Sequence, residues 1–239
     1  MSIERVHVGS LEGLAEGSPL PLDGEESHHL ARVRRAQAGD PVRAHDGRGR
    51  IAHAVIDRIE KGKDGWIVWL RVAQVEVCPP TTPRVEVWAP APKGDRLSAM
   101  IEGLAQVGAA AWIPLICQRA VVEPRETKMD RLRRIAEEAT KQCGRAWTLE
   151  IGEPASLARA FEDGVPVILA DAHGQSLATI DGPTVRLLIG PEGGLTPEEL
   201  AEVRSRGGRA SCFGPHVMRI ETAAVVAAAA LLQDASPQR

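Results

Sequence analysis

The stretch LLIGPEGGLTPEEL, residues 187–200, decides how the C-terminal part of this chain folds. Its apolar start predicts a buried strand, and the glycines that follow interrupt that strand. Thr196 and Glu199, with Pro197 directly after Thr196, are typical of a capping box at a helix N-terminus, and Leu195 and Leu200 complete a hydrophobic staple. The order is therefore strand, glycine-rich loop, helix. In an open sheet such a loop lies at the carboxyl edge, where ligands bind.

Similar alternation runs through the rest of the C-terminal part. It predicts a mostly parallel sheet covered by helices on both faces. The predicted strands are 85–89, 111–116, 165–170, 185–189 and 210–213, and the predicted helices are 95–107, 129–143, 157–161, 197–205 and 222–233.

The N-terminal part has a different pattern. Alternating segments at 51–59 and 66–72, with turn signals between them, predict a small antiparallel β barrel or sandwich. Three prolines within residues 79–83 interrupt any regular element. We therefore predict two domains, 1–76 and 84–239, joined by a linker at 77–83.

Composition limits the class of protein. The chain has 239 residues with 44% hydrophobic content, enough for a substantial core, and a net charge of −3, so RNA or DNA binding would need a local basic patch. Its four scattered cysteines favour reduced thiols in a cytosol over a zinc site or disulfide framework. The longest apolar run, 223–232, is about half of the ~20 residues that span a bilayer. We expect a cytoplasmic protein without a membrane span.

The glycine loop has several possible roles. No Lys-Ser/Thr pair follows it, which excludes a P-loop, and the fingerprint-like GRGRIA at 47–52 leads into a strand instead of a helix. A ligand recognised by backbone groups and shape remains, and S-adenosylmethionine is such a ligand. The alternative is that Gly193 and Gly194 merely turn the chain.

A second motif, CFGPHVMRIETAA at 212–224, also passes from a strand end through Gly-Pro into a helix. Together the two motifs resemble the paired C-terminal motifs of the SPOUT (α/β-knot) methyltransferases. The likeness is strongest to the ribosomal RNA small subunit methyltransferase E family, which makes 3-methyluridine in 16S ribosomal RNA. HHLARVR at 28–34, KGDR at 93–96 and EATKQCGR at 138–145 extend the resemblance.

This resemblance implies an α/β protein with a C-terminal α/β-knot domain containing a trefoil knot and an N-terminal PUA-like β-barrel. It implies S-adenosylmethionine as cofactor, small-subunit ribosomal RNA as partner, free or within the assembled subunit, and a homodimer. The implied cofactor-binding residues are Leu188, Gly190, Gly194, Phe213, Gly214 and Met218. The chain departs from the family pattern where Lys-x-x-Glu-Leu-Gly is usual, with Gly103, Gln106, Val107 and Gly108, and at His216, where arginine is common.

Two charged residues of the second motif suit base methylation. Uracil N3 carries a weakly acidic proton, so its methylation needs a base or stabilisation of negative charge on the carbonyl oxygens. Glu221 is the candidate base and Arg219 the candidate for charge stabilisation, with no metal required. The alternative is a structural ion pair between them or a cap on the last helix.

The RNA contacts are predicted in local basic patches. Six arginines lie within residues 28–50: Arg32, Arg34, Arg35, Arg43, Arg48 and Arg50. We expect Arg32, Arg34 and Arg35 to bind RNA, although a solvated surface is an equal alternative for each. Gln142 and Arg145 are expected on one helix face towards the target strand, or as an ordinary surface pair.

Two further functions stay open at this point. The chain could be a noncatalytic RNA-binding or scaffold protein of the same fold, or a related knot enzyme that methylates a ribose 2′-hydroxyl. The histidines, among them His28, His29, His45 and His53, lack the neighbours of a metal site.

Overall fold

The computed structural model describes residues 3–22, 24–63, 65–120, 126–176, 182–233 and 235. The chain forms two compact units, one from residues 1–80 and 140–148 and the other from 81–139 and 149–237. The predicted linker lies between the last strand of the first unit and the first strand of the second. Segment 140–148 belongs to the first unit, a long-range assignment that no local sequence signal predicts. The outermost residues of the predicted domains, 1–2 and 236–239, lie outside the described residues.

The first unit is built on a five-stranded sheet in the order β1-β3-β4-β5-β2. Its strands pair antiparallel, which confirms the prediction for segments 51–59 and 66–72, except that β1 runs parallel to β3 at one edge. The strands are β1 (Glu4–His7), β2 (Pro19–Pro21), β3 (Pro41–His45), β4 (Arg50–Gly62) and β5 (Gly65–Val77).

A short helical segment connects β2 to β3. Helix α1 (Gly24–His28) continues into a π-helical turn, His29–Arg34, which ends at Arg35 in the left-handed conformation with φ 53°. The unit's core is formed by alternate strand residues and by Leu30 of the π-helical turn.

The second unit is built on a seven-stranded sheet in the order β12-β10-β11-β6-β7-β8, with β9 also paired to β7. Its strands are β6 (Arg84–Ala89), β7 (Ala111–Ile116), β8 (Glu150–Ile151), β9 (Ala155–Ser156), β10 (Val167–Ser176), β11 (Thr184–Ile189) and β12 (Arg209–Cys212). Its helices are α2 (Arg96–Val107), α3 (Glu126–Cys143), whose last turn falls in the first unit, α4 (Pro197–Ser205) and α5 (Ile220–Leu231), with a 3-10 helix at Leu157–Phe161.

The described strand pairs of this sheet are all parallel, which confirms the prediction of a parallel sheet. Leu187 and Ile189 contribute to a core with α2, α3 and α5, whereas Leu188 contributes to a core with α4 and the 3-10 helix. Since alternate strand residues point to opposite faces, the sheet is covered on both sides.

Each of the five predicted strands of the second unit is present. Strand β10 extends to Ser176, six residues beyond the prediction, because its pairing with Ser211 of β12 shifts from Ala170 to Gln175. The residues between these two pairings, 171–174, form a bulge in β10 opposite the edge strand β12. Strands β8 and β9, each of two residues, carry too little pattern to be predicted.

The strand order requires the chain to cross from β11, over β10, to β12. A crossover of this kind is needed for a trefoil knot, and the knot itself stays a prediction. None of the helices in the described part of the chain has the length and apolar composition of a membrane span.

Candidate active site

The first glycine loop is held from both ends by hydrogen bonds. The Thr196 hydroxyl accepts from the Glu199 N–H at 3.3 Å, and Glu199 Oε2 accepts from the Thr196 N–H at 2.8 Å, which confirms the capping box. Glu199 Oε1 also accepts from the Gln118 N–H at 2.8 Å, which ties the start of α4 to the segment after β7. Within the loop the Gly194 N–H donates to the Pro191 carbonyl at 2.8 Å. The loop is therefore a rigid turn.

Arg119 supports this loop from outside. Its Nη1 donates to the Gly193 carbonyl at 2.6 Å, and its side-chain carbons lie against Gly193. The sequence contained no signal for this contact, because the two residues are far apart in the chain.

The second loop, residues 213–219, connects β12 to α5. The Cys212 thiol donates to the Gly214 carbonyl at 3.0 Å, and the Met218 side chain lies directly beside Gly214. Gly214 and the Met218 side chain therefore pack side by side in this loop.

The two loops meet around a cavity of about 310 Å³ at the carboxyl ends of β10, β11 and β12. This volume is within the range of small-molecule sites. Five of the six predicted cofactor residues line it, namely Gly190, Gly194, Phe213, Gly214 and Met218. The lining is mainly apolar, with Leu169, Ile189, Leu195, Leu200 and Ile220 among its side chains.

Leu188 does not line this cavity. It is 0% exposed and packs in the core beneath α4. Its main chain belongs to β11 and pairs with β10 and β6. The Leu188 side chain therefore does not contact the cavity, although a role in cofactor binding was predicted for this residue.

A third wall of the cavity was not predicted from the sequence. Asp171, Ala172 and His173 line it from the bulge of β10. The Asp171 Oδ1 accepts from the His173 N–H at 2.8 Å, which stabilises the bulge. A signal was present, since these residues directly follow a predicted strand and so fall at the ligand-binding edge.

The two predicted catalytic residues flank the cavity lining without belonging to it. Arg219 is exposed at the N-cap position of α5, between the lining residues Met218 and Ile220, and its side chain makes no capping bond. Glu221 follows in the first turn of the helix. The proposed helix cap by Arg219 is therefore absent.

Glu221 pairs with Arg96 instead of Arg219. Arg96 Nη1 lies 3.9 Å from Glu221 Oε2 and 3.7 Å from Glu192 Oε1, so one guanidinium links the first loop to the start of α5. The Glu221 side chain is 15% exposed, and its buried Oε2 accepts no hydrogen bond from a described group. An acceptor in this state is able to take a proton or a hydrogen bond from a ligand.

The predicted RNA-binding residues fall on the surface of the first unit. Arg32, Arg34 and Arg35 are exposed on and after the π-helical turn. Arg34 Nε lies 3.1 Å from Glu4 Oε2, which leaves Arg32 and Arg35 as the less constrained cations of this group.

Gln142 and Arg145 do not share a helix face, so that part of the prediction is wrong. Helix α3 ends at Cys143 because Gly144 adopts a left-handed conformation with φ 77°. Gln142 is exposed and its carbonyl accepts from Arg5 at 2.8 Å. Arg145 is partly buried beyond the helix, and burial lowers the pKa of its guanidinium.

The described residues contain no group of three or more His, Cys, Asp or Glu side chains placed to hold a metal ion. All four cysteines are free thiols.

Comparisons with known proteins agree with this architecture. A family model described as an RNA methyltransferase domain matches residues 80–232, and one described as an RNA methyltransferase PUA domain matches residues 22–63. Together the two matches define the class of protein, an RNA methyltransferase domain preceded by a PUA domain.

The ribosomal RNA small subunit methyltransferase E of Mycobacterium bovis is 30% identical over 230 residues, which cover 90% of this chain and 86% of that protein. The chain belongs to the ribosomal RNA small subunit methyltransferase E family.

Two solved structures have the same fold. A Legionella pneumophila protein described as a methyltransferase, in complex with the bound cofactor SAM, is 27% identical with a TM-score of 0.84, covering 99% of this chain and 100% of that one. The ribosomal RNA small subunit methyltransferase E of Neisseria gonorrhoeae, bound to S-adenosylmethionine, is 21% identical with a TM-score of 0.85, covering 97% and 98%.

Proposed function

We propose that this protein transfers a methyl group from S-adenosylmethionine to N3 of a uridine in 16S ribosomal RNA. The observation that carries the proposal is the meeting of both glycine loops at one cavity, with Arg219 and Glu221 directly beside its lining. Family membership and the SAM complex of the Legionella relative support the same reading.

The cavity fits the proposed cofactor. Its volume of about 310 Å³ and apolar walls suit an adenosine group, and the exposed main chain of the loops offers donors and acceptors for the base. Space is also open where a side chain at Gly194 would project. The residues proposed to hold the cofactor are Gly190, Gly194, Phe213, Gly214 and Met218, with the main chain of Leu188 behind them.

The bound cofactor would supply an electrophilic methyl group on a sulfonium. The protein's own residues would prepare the nucleophile: Glu221 accepts the N3 proton, and Arg219 stabilises negative charge on a uracil carbonyl oxygen. Arg96 positions Glu221 and links it to Glu192 of the first loop. Alignment of N3 with the methyl group supplies the remaining acceleration.

The partners follow from this reaction. The basic surface at Arg32, Arg34 and Arg35, with Gln142 and Arg145, is proposed to contact the ribosomal RNA. A homodimer in the cytoplasm is proposed as the working form.

The function is tested by incubating the protein with isotope-labelled S-adenosylmethionine and with 16S ribosomal RNA or assembled small subunits, followed by nuclease digestion and mass spectrometry of the nucleosides. We expect label in 3-methyluridine. Label on a ribose 2′-oxygen would replace the proposal by the sugar-methylating alternative. RNA binding without cofactor binding or label would favour the noncatalytic alternative.

The catalytic residues are tested by single-turnover methylation. Arg219→Ala and Glu221→Gln should each lower the rate about 100-fold or more, as expected for a lost charge stabiliser or base, with cofactor affinity nearly unchanged. The matched controls are Arg204→Ala and Glu102→Gln, which remove exposed charges from α4 and α2.

The pH profile separates the two roles. If Glu221 is the base, the wild-type rate rises through its ionisation and Glu221→Gln flattens that rise. Near-normal rates for both variants on folded protein would contradict the catalytic assignment.

A further inference from the structure

Arginine and histidine side chains face one another on one side of the first unit's sheet. Strands β1 and β3 run parallel, with Arg5 opposite Arg43 and His7 opposite His45. Because alternate residues of a strand share a face, these four side chains lie on the same side of the sheet. Like charges directly opposite each other on neighbouring strands destabilise a sheet. The facing pair of Arg5 and Arg43 therefore does not stabilise this strand pair.

Several side-chain atoms in this cluster make no hydrogen bond of good geometry. His45 is 1% exposed, and neither of its ring nitrogens makes a hydrogen bond of good geometry. Arg43 is half-buried, and its buried Nε donates to no described group. The Thr148 hydroxyl, held near the end of β3 by a 3.0 Å bond from the Thr148 N–H to the Gly47 carbonyl, is also without a partner. Arg43 Nε and the Thr148 hydroxyl are donors, and each ring nitrogen of His45 becomes one when it carries a proton.

The local field is positive. Burial, followed by the charges of Arg5, Arg43 and His7, lowers the pKa of His45 to about 4, while the nearby carbonyl of Arg145 works against this shift. An anion bound in the cluster would place a negative charge near the imidazole and so raise the pKa of His45.

One oxygen of each of two carboxylates near these strands is already engaged, whereas Asp46 Oδ2 is buried without a hydrogen-bond partner among the described residues. Glu26 accepts from the His7 N–H at 3.1 Å and from Lys141 Nζ at 2.9 Å. Asp46 accepts from the backbone N–H groups of Arg48 and Arg50 at 2.8 and 3.0 Å. They therefore satisfy donors other than Arg43 and His45.

We propose that Arg43, with Arg5 and His45 beside it, binds a phosphate group of the RNA backbone. A guanidinium matches the tetrahedral oxygens of a phosphate with two parallel N–H donors, and exposure of Arg5 opens the cluster to solvent. The identity of the anion as RNA rests on the proposed function, whereas the presence of an anion site does not.

Arg43 is the residue at which anion binding can be distinguished from a structural role. Arg5 has a structural contact, because its Nη1 donates to the Gln142 carbonyl at the end of α3. Arg43 makes no hydrogen bond or ion pair with any described residue. Arg32, Arg34 and Arg35 form a different surface, on and after the π-helical turn.

The anion site is tested with inorganic phosphate alone, by following the His45 imidazole signals by NMR. We expect a saturable shift and a raised pKa of His45 in the wild type and in the control Arg71→Gln, an exposed arginine on β5. The shift should be lost in Arg43→Gln. Imidazole signals that do not shift with phosphate, or that shift equally in Arg43→Gln, would contradict the anion site.

The RNA assignment is tested by binding of a 16S ribosomal RNA fragment at several salt concentrations. Arg43→Gln should weaken binding about 10-fold at low salt and reduce the slope of log affinity against log salt by about 0.7 to 0.9, the loss expected for one phosphate contact. Unchanged affinity and slope, with phosphate still bound by the wild type, would show that the anion is not the RNA backbone and would overturn the assignment.

Stability provides a second readout. Removal of one of two facing arginines should leave the melting temperature without RNA unchanged or raise it by about 1–3 °C. A melting temperature lowered by several degrees, together with unchanged RNA binding, would show that Arg43 has a structural role instead. A wild type that fails to methylate ribosomal RNA would contradict the proposed function, while the phosphate titration would still decide whether the anion site exists.

Discussion

At the residue scale, Gly194 shows why a glycine is required in the first loop. Its φ of +70° lies in the left-handed region, and a Cβ there would meet no atom within 4 Å. Gly194 also lines the cavity, so a side chain added there would project beside the proposed cofactor site. The requirement is therefore both conformational and spatial.

Gly194→Val should weaken S-adenosylmethionine binding at least about 10-fold, because the branched side chain occupies the cavity and strains the turn. Gly164→Val is the matched control, since Gly164 has nearly the same φ of +68°, open surroundings and no place in the cavity lining. Calorimetric titration of both folded variants measures the difference. Equal affinities would remove this loop from the cofactor site.

The ion-pair partner of Glu221 is set by the tertiary structure. The place of Glu221 after the second loop is evident from the sequence, and an ion pair with Arg219 was the structural alternative to a catalytic role. The structure pairs it with Arg96, which lies more than a hundred positions earlier at the start of α2. Ion pairs form between side chains that the fold brings within 4 Å. The spacing of two residues along the chain therefore does not predict such a pair.

At the element scale, the contact between α2 and α5 explains one departure from the family pattern. A Cβ added to Gly103 of α2 would lie 2.8 Å from Cγ2 of Val225 on α5. Val225 is β-branched and has little rotamer freedom in a helix, so it cannot move aside easily. Gly103 therefore permits a close helix contact.

Gly103→Ala should destabilise the second unit, because a gain of about 1 kcal/mol in helix propensity is outweighed by an overpacking cost of about 1–3 kcal/mol. In a Val225→Ala background the same change should stabilise the protein, since the obstructing methyl group is gone. Melting temperatures of the two single variants and the double variant form the cycle that measures this coupling. Additive effects would show that the two helices do not meet at this contact.

The π-helical turn and the bulge in β10 are the irregular elements that the sequence did not predict. Regular strands and helices were found because their hydrophobic periods are local. The bulge arises because β10 re-pairs with β12 at Ser211, and that partner is defined only by the sheet. The wall of the cavity at Asp171 and His173 was missed for this reason.

At the scale of the whole molecule, the composition of α5 bears on assembly. The helix is apolar over nearly its whole length, and its inner residues Ala224, Ala227 and Ala228 are fully buried. Val226 on its outer side is 38% exposed. Val226 is therefore the exposed apolar residue of α5 at which the expected homodimer is tested.

We expect sedimentation equilibrium to give twice the chain mass of 25.6 kDa. Val226→Glu should shift the protein to the monomer, because a charge would be buried without a partner. Val77→Glu, at a more exposed valine of the first unit, should leave the dimer intact. A wild-type monomer at micromolar concentration would contradict the expected homodimer.

The sequence by itself determined the local features of this protein: the parallel βα order, the capping box at Thr196, and the two glycine loops with their place at strand ends. Only the tertiary structure decided which loops meet at one cavity, that Leu188 turns away from it, that Arg96 joins Glu192 and Glu221, and that Arg5 faces Arg43. The physical reason is one of range. Periodicity, caps and turns depend on neighbours within a few residues, whereas cavities, ion pairs and cross-strand clusters depend on the register of segments far apart in the chain.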